Sequence, residues 1–599
     1  MLKLPAIGTI ISEAINTFKR FPCVLIFAIA GAFALSYYID VQGNDKYTWL
    51  LYFIFTCSLG GVLFFNMYLF FERNRISLKE KWMYSAIGLI ALAVYFFLQP
   101  EELNRISMVR FVLFNLGLHI LVSFVAFINF DEPNGFWHFN QIIFIRVFIS
   151  LFYSLVLFAG TALALVTISY LFNVDIEFDS YLRGFYFIFI IFNSWIFLNG
   201  VPKRLHELEQ DESYPKLLKF FSQFVLLPLV TLYIIILYAY IIRLFVVGQG
   251  PDTDVAYMVL ALSIAGILAL LLVWPIHKQE KYEWLRVYQK SFYIILIPLI
   301  ILFFVAIWHR VRDFGITENR YFVLALALWL FGISLYFIIG KKKNIMLIPI
   351  TLCAIVLLSS FGPWGAIKFS RVSQLMRFEA ILKNNDMLID GKAKALDGIM
   401  DEMEAQQLES VTEYIVDVFG MKELQPYFIE NLDSIPKTIE YPYYNKSGAV
   451  LVLLNVIPSY NGISYNPRTV INYNVSQKDL YNVSGYDHLL EFVIRNTSAT
   501  TIIGTSEQGD YSADILLNPA RLVLYVDGKM DVVIEFEDEI LKWKGDQNNG
   551  NDSELVLEFE EDGIQNRYRL YLNHLMAEVE SDKISDAHLL EGHLLIGRK

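Results

Sequence analysis

Arg310, Arg312, Asp313, Glu318, Asn319 and Arg320 crowd into one short stretch between two long apolar segments. Cations and carboxylates gathered at the rim of an apolar segment are what a membrane enzyme acting on a lipid or glycan would use. A ligand or ion site, or a tight docking turn, would use them too. Gly315 supplies a turn within the stretch, and Thr317 is placed to cap the helix that follows. Inside the apolar segments chemistry is sparse. His119 lies in FNLGLHILVSF one turn from Asn115, and Asn193 lies in IFNSWIF. Such groups either hydrogen-bond a neighbouring helix or serve a proton or ligand path, and His119 reads as the former. Arg146 and Arg243, near segment ends, read as side chains that snorkel to the interface. No Asp or Glu lies deep in a segment, which argues against a proton- or sodium-coupled pump. Pro228 and Pro298 interrupt two segments that each follow a lysine and end near an arginine, and Pro349 follows Lys343 in the same way. Matching breaks in corresponding helices mark the site of some transporters, and they serve equally as structural kinks.

The remainder offers little for catalysis. There is no GxxxxGK[ST], no GxSxG and no HExxH. DQNNGNDSE (546–554) resembles a calcium loop in composition, but Gly550 sits one place early for that spacing, so a solvated hairpin loop is the expectation. Asp586, His588 and His593 lack supporting ligands. The acidic run Glu535, Glu537, Asp538, Glu539 reads as a solvated strand face and turn. The expectation is therefore no catalytic residue, no cofactor and no metal.

These residues are carried on two unlike halves. The chain has 599 residues, 56% hydrophobic and only 18% charged, against about 25% charged in an ordinary soluble protein. Residues 1–365 hold 27 Lys+Arg and 22 Asp+Glu, whereas residues 366–599 hold 21 and 38. An acidic soluble part argues against nucleic acid as a partner and against docking on an anionic membrane surface. Cys23, Cys57 and Cys353 all fall in apolar segments, leaving the soluble part without a disulfide or a thiolate zinc site.

A bilayer core needs about 20 apolar helical residues. Eleven segments approach this: 21–39, 49–71, 82–98, 111–130, 144–172, 185–200, 220–244, 256–274, 292–309, 321–340 and 345–362. The fifth is long for one straight span and the sixth short. The first has no small-residue cleavage site after it and reads as an uncleaved helix. With the N-terminus cytoplasmic, the inner loops hold 18 basic residues and the outer loops 8, the positive-inside pattern. Eleven crossings then place the C-terminal part outside.

Three stretches carry a resemblance: LPLVTLYIIILYAYIIR (227–243), RVRDFGITENRYFVLALALWLFGISLYFI (310–338) and SSFGPWGAIKFSRVSQLMRFEAIL (359–382). They resemble an uncharacterised bacterial multi-pass membrane family known only as a domain of unknown function, over most of residues 1–430. DFGITENRYF is the most distinctive part. The resemblance implies an envelope membrane protein and brings no catalytic residue, substrate or cofactor.

Beyond the last span, residues 366–388 read as a helix leaving the membrane. Leu408, Val411, Ile415 and Val418 mark a second helix that starts among Asp401, Glu402 and Glu404 and stops at Gly420. From about Ile435 the apolar period becomes two. RLVLYVDGKMDVVIEF and LVLEFEEDGIQNRYRLYL read as hairpins about Asp527-Gly528 and Asp562-Gly563, and AVLVLLNVI, RTVINYNV, HLLEFVIRN and ADILLN read as further strands. The predicted fold class is an α-helical polytopic bundle of about 11 transmembrane helices, then short helices, then an antiparallel β sandwich of about 8–10 strands. The expected domains are 1–364, 365–434 and 435–599. The expected protein is a non-enzymatic inner-membrane protein that presents an extracytoplasmic β domain to an envelope protein partner, with membrane lipids around its helices. The alternative is a transporter or lipid- or polymer-handling protein working about Pro228 and Pro298. A reporter active only in the cytoplasm, fused after Lys599, is expected to stay silent; activity there would mean the crossings are miscounted by one.

Overall fold

A computed structural model describes residues 7–41, 45–211, 213–248, 251, 254–276, 283–340, 343–397, 400–432, 446–456, 459–460, 463–464, 470–474, 483–495, 501–506, 509–516, 521–537, 557–580 and 583–599. The chain divides into two compact units, Met1–Ala393 with Ser410–Ser434, and Lys394–Glu409 with Ile435–Lys599.

The first unit opens with an amphipathic helix, α1 (Ile7–Arg20). Among the described residues, ten helices are long and apolar enough to cross a bilayer. They are α2 (Pro22–Val41), α3 (Thr48–Arg73), α4 (Leu78–Phe97), α5 (Arg105–Val122), α6 (Pro133–Phe172), α7 (Phe178–Asn199), α8 (Leu218–Val247), α9 (Asp254–Leu272), α10 (Glu283–Phe314) and α11 (Glu318–Ile339). The chain is a multi-pass membrane protein. The long fifth segment starts earlier than its apolar run and forms a single 40-residue helix, about 60 Å of rise and twice the ~30 Å hydrocarbon thickness. The short sixth becomes 22 residues because the helix begins at Phe178 and widens to a π turn over Phe187–Phe192.

The eleventh segment departs from expectation. It is a helix of only 13 residues, α12 (Leu347–Ser359), about 20 Å long and too short to span alone. Three hydrogen bonds fix its path along α11. Asn344 N–H donates to Tyr336 Oη at 3.0 Å. Trp329 Nε1 donates to Thr351 Oγ1 at 2.9 Å, and Tyr321 Oη donates to the Trp364 carbonyl at 2.7 Å. The α11 partners descend in number as the others rise, so residues 344–364 run antiparallel to α11 over most of its length. The irregular ends of the segment complete what the helix leaves short.

This fixes the two ends of the bundle. At one end Arg20 pairs with Glu72 at 2.7 Å and donates to the carbonyls of Val201 and Pro202, joining the end of α1 to the end of α3 and the loop after α7. At the other, Arg105 at the start of α5 lies 3.8 Å from Glu318 at the start of α11. Residues from 364 onward leave at this second end. Small residues allow close approach within the bundle: a Cβ on Gly117 of α5 would lie 2.5 Å from Leu357 Cδ2, and Cys353 Sγ sits 3.3 Å from the Gly117 carbonyl.

The second unit is β-rich. Among the described residues its longer strands are β1 (Val470–Asn474), β2 (His488–Arg495), β3 (Thr501–Ser506), β4 (Gly509–Leu516), β5 (Arg521–Val526), β6 (Lys529–Glu535), β7 (Leu557–Asp562), β8 (Asn566–Glu580) and β9 (Lys583–Arg598). They form two antiparallel sheets, ordered β6-β5-β4-β3 and β7-β8-β9-β2, with β1 paired to the second half of β8. Alternate residues of both sheets, among them Leu522, Leu524, Ile534, Tyr568, Leu570 and Leu594, meet in one core. Asp527 and Gly528 hold the expected turn with φ of 50° and 74°. Asp531 is buried and pins the second hairpin, accepting from Tyr568 Oη at 2.6 Å and from the Gln565 N–H at 2.7 Å.

Two strand readings need correction. The first five residues of AVLVLLNVI, 449–453, end a helix, α15 (Lys446–Leu453), whose residues 447–451 are all buried; an apolar run without alternation carries no periodicity to separate strand from buried helix. β3 and β9 are unpredicted strands. Glu537, read as solvated, is buried. His593 is buried against the Asn573 amide at 2.8 Å, and no group of metal ligands forms among the described residues. DQNNGNDSE lies outside the described residues. Gly117→Leu is expected to destabilise the full-length protein by a core-overpacking amount, about 1–3 kcal/mol, and so to lower its thermal midpoint. Gly61→Leu, with no atom within 4 Å of its Cβ position, is expected to change it little.

Candidate functional site

The predicted polar loop turns Glu318 inward and leaves Arg310, Arg312 and Asn319 exposed. Gly315 takes φ +66°, a conformation glycine adopts without Cβ strain, and turns the chain from α10 into α11. Thr317 occupies the cap position with extended backbone, yet its side chain makes no capping bond. Arg320 instead serves the end of α10, donating from Nη1 to the carbonyls of Phe314 at 2.9 Å and Gly315 at 2.8 Å.

Two helices cover the loop: α13 (Ala366–Asn384) and α14 (Glu402–Phe419), the latter from Ser410 onward within this unit. On α13 the buried positions Ala366, Ser370, Gln374 and Phe378 recur every four residues, one helical face. Gln374 Nε2 donates to the carbonyls of Phe314 at 3.0 Å and Ile316 at 3.2 Å, and Ser373 Oγ accepts from the Ile316 N–H at 2.9 Å. Arg377 donates to the Arg312 carbonyl at 3.1 Å. A Cβ on Gly315 would lie 2.9 Å from Gln374 Nε2.

At the centre is Glu318, 1% exposed. Its Oε2 accepts from the Tyr414 hydroxyl of α14, the same hydroxyl accepts from the Glu318 N–H at 3.3 Å, and Ser370 Oγ lies 3.0 Å away. Oε1 makes no hydrogen bond but lies 3.8 Å from Arg105 Nε. Burial first, and then the carboxylate beside it, pushes the Tyr414 hydroxyl well above its usual range. A second tyrosine–carboxylate pair braces the same helices: Tyr427 Oη donates to Glu379 at 2.6 Å, holding that carboxyl below its usual range. Beside the clasp a pocket of about 320 Å³ is lined by Arg110, Lys368 and Arg371, with Arg371 paired to Glu423 at 2.7 Å.

Of the sequence-predicted residues, Glu318 and Arg320 meet in this clasp. Arg310 and Arg312 occupy the last turns of α10, Asn319 is exposed beside them, and the Asp313 side chain lies outside the described residues. Arg105, Ser370, Gln374 and Tyr414 were not legible as partners; the only trace was the four-residue spacing of Ser370 and Gln374.

The intramembrane positions are placed separately. His119 does not reach a neighbouring helix: its Nδ1 pairs with the Asn115 carbonyl of its own turn at 2.8 Å, and it is Asn115 that crosses to Ser58 at 2.8 Å. Asn193 follows the π turn and accepts from Ser154 at 3.5 Å. Pro228 follows a second π turn, Ser222–Leu226, a widening that accommodates a residue without an N–H. Pro298 lies within the continuous α10, and Tyr238 Oη of α8 donates at 2.8 Å to the Ile295 carbonyl in the turn before it. Pro349 sits in the first turn of α12, where no donor is required. The Arg146 side chain lies over Gly200, 2.3 Å from where a Cβ would stand.

Residues 4–381 match the family described as Domain of unknown function (DUF4153), a range that includes Glu318 and Ser370 but stops before Tyr414. The chain is 25% identical over 332 residues to the uncharacterized protein PM1469 of Pasteurella multocida (strain Pm70), covering 54% of each, so it spans about half the length of that relative. No solved structure matches. Tyr414→Phe is expected to destabilise the full-length protein by about 1–3 kcal/mol, because it strands a buried carboxylate, and to speed proteolysis within residues 385–401. Glu318→Gln, which keeps an acceptor, is expected to cost less.

Proposed function

The chain belongs to the DUF4153 family, and we propose that it is a non-enzymatic envelope protein whose bundle carries a β-sandwich unit outside the cytoplasm for a protein partner to recognise. The observation that carries this reading is the path of residues 344–364 along α11. It supports an odd number of crossings, with the chain leaving at the end away from Lys79, Lys81, Lys203 and Arg204. Basic loops favour the cytoplasmic face, so the opposite end is the outer one. The clasp supports the same reading, since Tyr414, Ser373, Gln374 and Arg377 spend their hydrogen bonds on the loop that α13 and α14 cover. The β unit adds two sheets with no assembled metal ligands among its described residues.

Native mass spectrometry of the gently extracted full-length protein tests the reading. A stoichiometric protein partner that is lost when surface residues of the β5–β6 hairpin are changed is the expected result. A retained glycan or soluble metabolite with no protein partner would contradict it and favour transport or membrane chemistry.

A further inference from the structure

A cavity of about 1120 Å³ opens in the membrane bundle, at or above the ~300–1000 Å³ of common small-ligand sites. Its walls come from α5, α6, α8, α9 and α12 and are apolar except for Ser123, Asn140 and Gln141. Each helix contributes the same end. Ile120 and Ser123 close α5, Phe136–Phe148 begin α6, Leu218–Leu226 begin α8, Ala265–Leu272 close α9 and Ile348–Leu352 begin α12. The cavity therefore lies within one leaflet's depth, at the end of the bundle that carries Lys203, Arg204 and Lys216. Trp137 in its wall donates from Nε1 to the Leu271 carbonyl at 2.7 Å, and Tyr214 Oη donates to the Leu272 carbonyl at 2.9 Å. Phe144, Phe148, Phe221 and Leu268 line it and are also 45–58% exposed, so the cavity opens sideways through the wall of the bundle.

We propose that this cavity seats an acyl chain of a glycerolipid drawn from that leaflet. Water does not fill an apolar cavity, and a void of this size left empty would forfeit the close packing of a protein interior. The side opening faces the one apolar medium in contact with the bundle. Asn140 spends its amide hydrogens on the carbonyls of Ser123 and Phe136, at 2.9 and 2.8 Å. Gln141 makes no hydrogen bond among the described residues and supplies a donor for the lipid's ester region. The proposal needs only that the chain spans a membrane, so it stands or falls apart from the sidedness of the β unit.

The test uses the full-length protein in vesicles of phosphatidylethanolamine and phosphatidylglycerol that hold a trace of phosphatidylethanolamine with a diazirine at the end of one acyl chain. After irradiation the adducts are mapped by peptide mass spectrometry. Adducts are expected on Phe136–Phe148 and Ala265–Leu272 at about ten times the yield on the outward residues Ile87, Leu89 and Ile90 of α4, the ratio that about 1.4 kcal/mol of preference gives. Equal yields on both surfaces would overturn the proposal, and this map needs no variant. Ala265→Trp, filling the cavity, is expected to bring the α9 yield down to the α4 level with the thermal midpoint unchanged or raised; an undiminished yield in a folded variant would also overturn it.

Discussion

A carboxylate buried at the end of an apolar helix must be paired or it destabilises everything around it. Glu318 is in that position, and its partners come from two other helices, Tyr414 of α14 through a hydrogen bond and Arg105 of α5 at ion-pair distance, with Ser370 of α13 beside the Tyr414 hydroxyl. The Gly315 turn, the Gln374 and Ser373 bonds to the loop backbone, and the Tyr427–Glu379 brace all lie around this one group. A dense polar loop thus becomes a mechanical junction where the chain leaves the membrane.

A second constraint is the lack of water to satisfy backbone groups in a bilayer. It explains how the bundle treats its irregular places. Wide π turns precede Asn193 and Pro228, and Tyr238 reaches the carbonyl before Pro298. Residues 360–365 leave the helix only where Tyr321 can bond the Trp364 carbonyl. The large apolar cavity sits within the same bundle, where the surrounding lipid is the natural filler.

Much of this was legible from residue types. Ten spans follow from apolar length, and the stop at Gly420 and the turn at Asp527-Gly528 follow from glycine chemistry. Three things were not legible, for physical reasons. The 13-residue α12 reads as a full span because Ile345, Met346 and Phe361 extend its apolar run past the helix ends. The run from 449 carries no alternation, and its first part, 449–453, is buried helix rather than strand. The clasp joins residues 96 apart in sequence, Glu318 and Tyr414, and only tertiary folding brings a buried acid to its donor. His119 shows the reverse error: a polar residue in a span suggested an interhelical bond, and a carbonyl one turn back proved sufficient.

The central claim is that the bundle's basic loops and the segment from residue 364 onward emerge on opposite faces. Single cysteines at the exposed positions Lys79 and Lys422 test it directly, with a membrane-impermeant maleimide applied to intact spheroplasts and then after lysis. The account predicts that Lys422→Cys is labelled in intact spheroplasts and Lys79→Cys only after lysis. Labelling of both positions from the same side would contradict it.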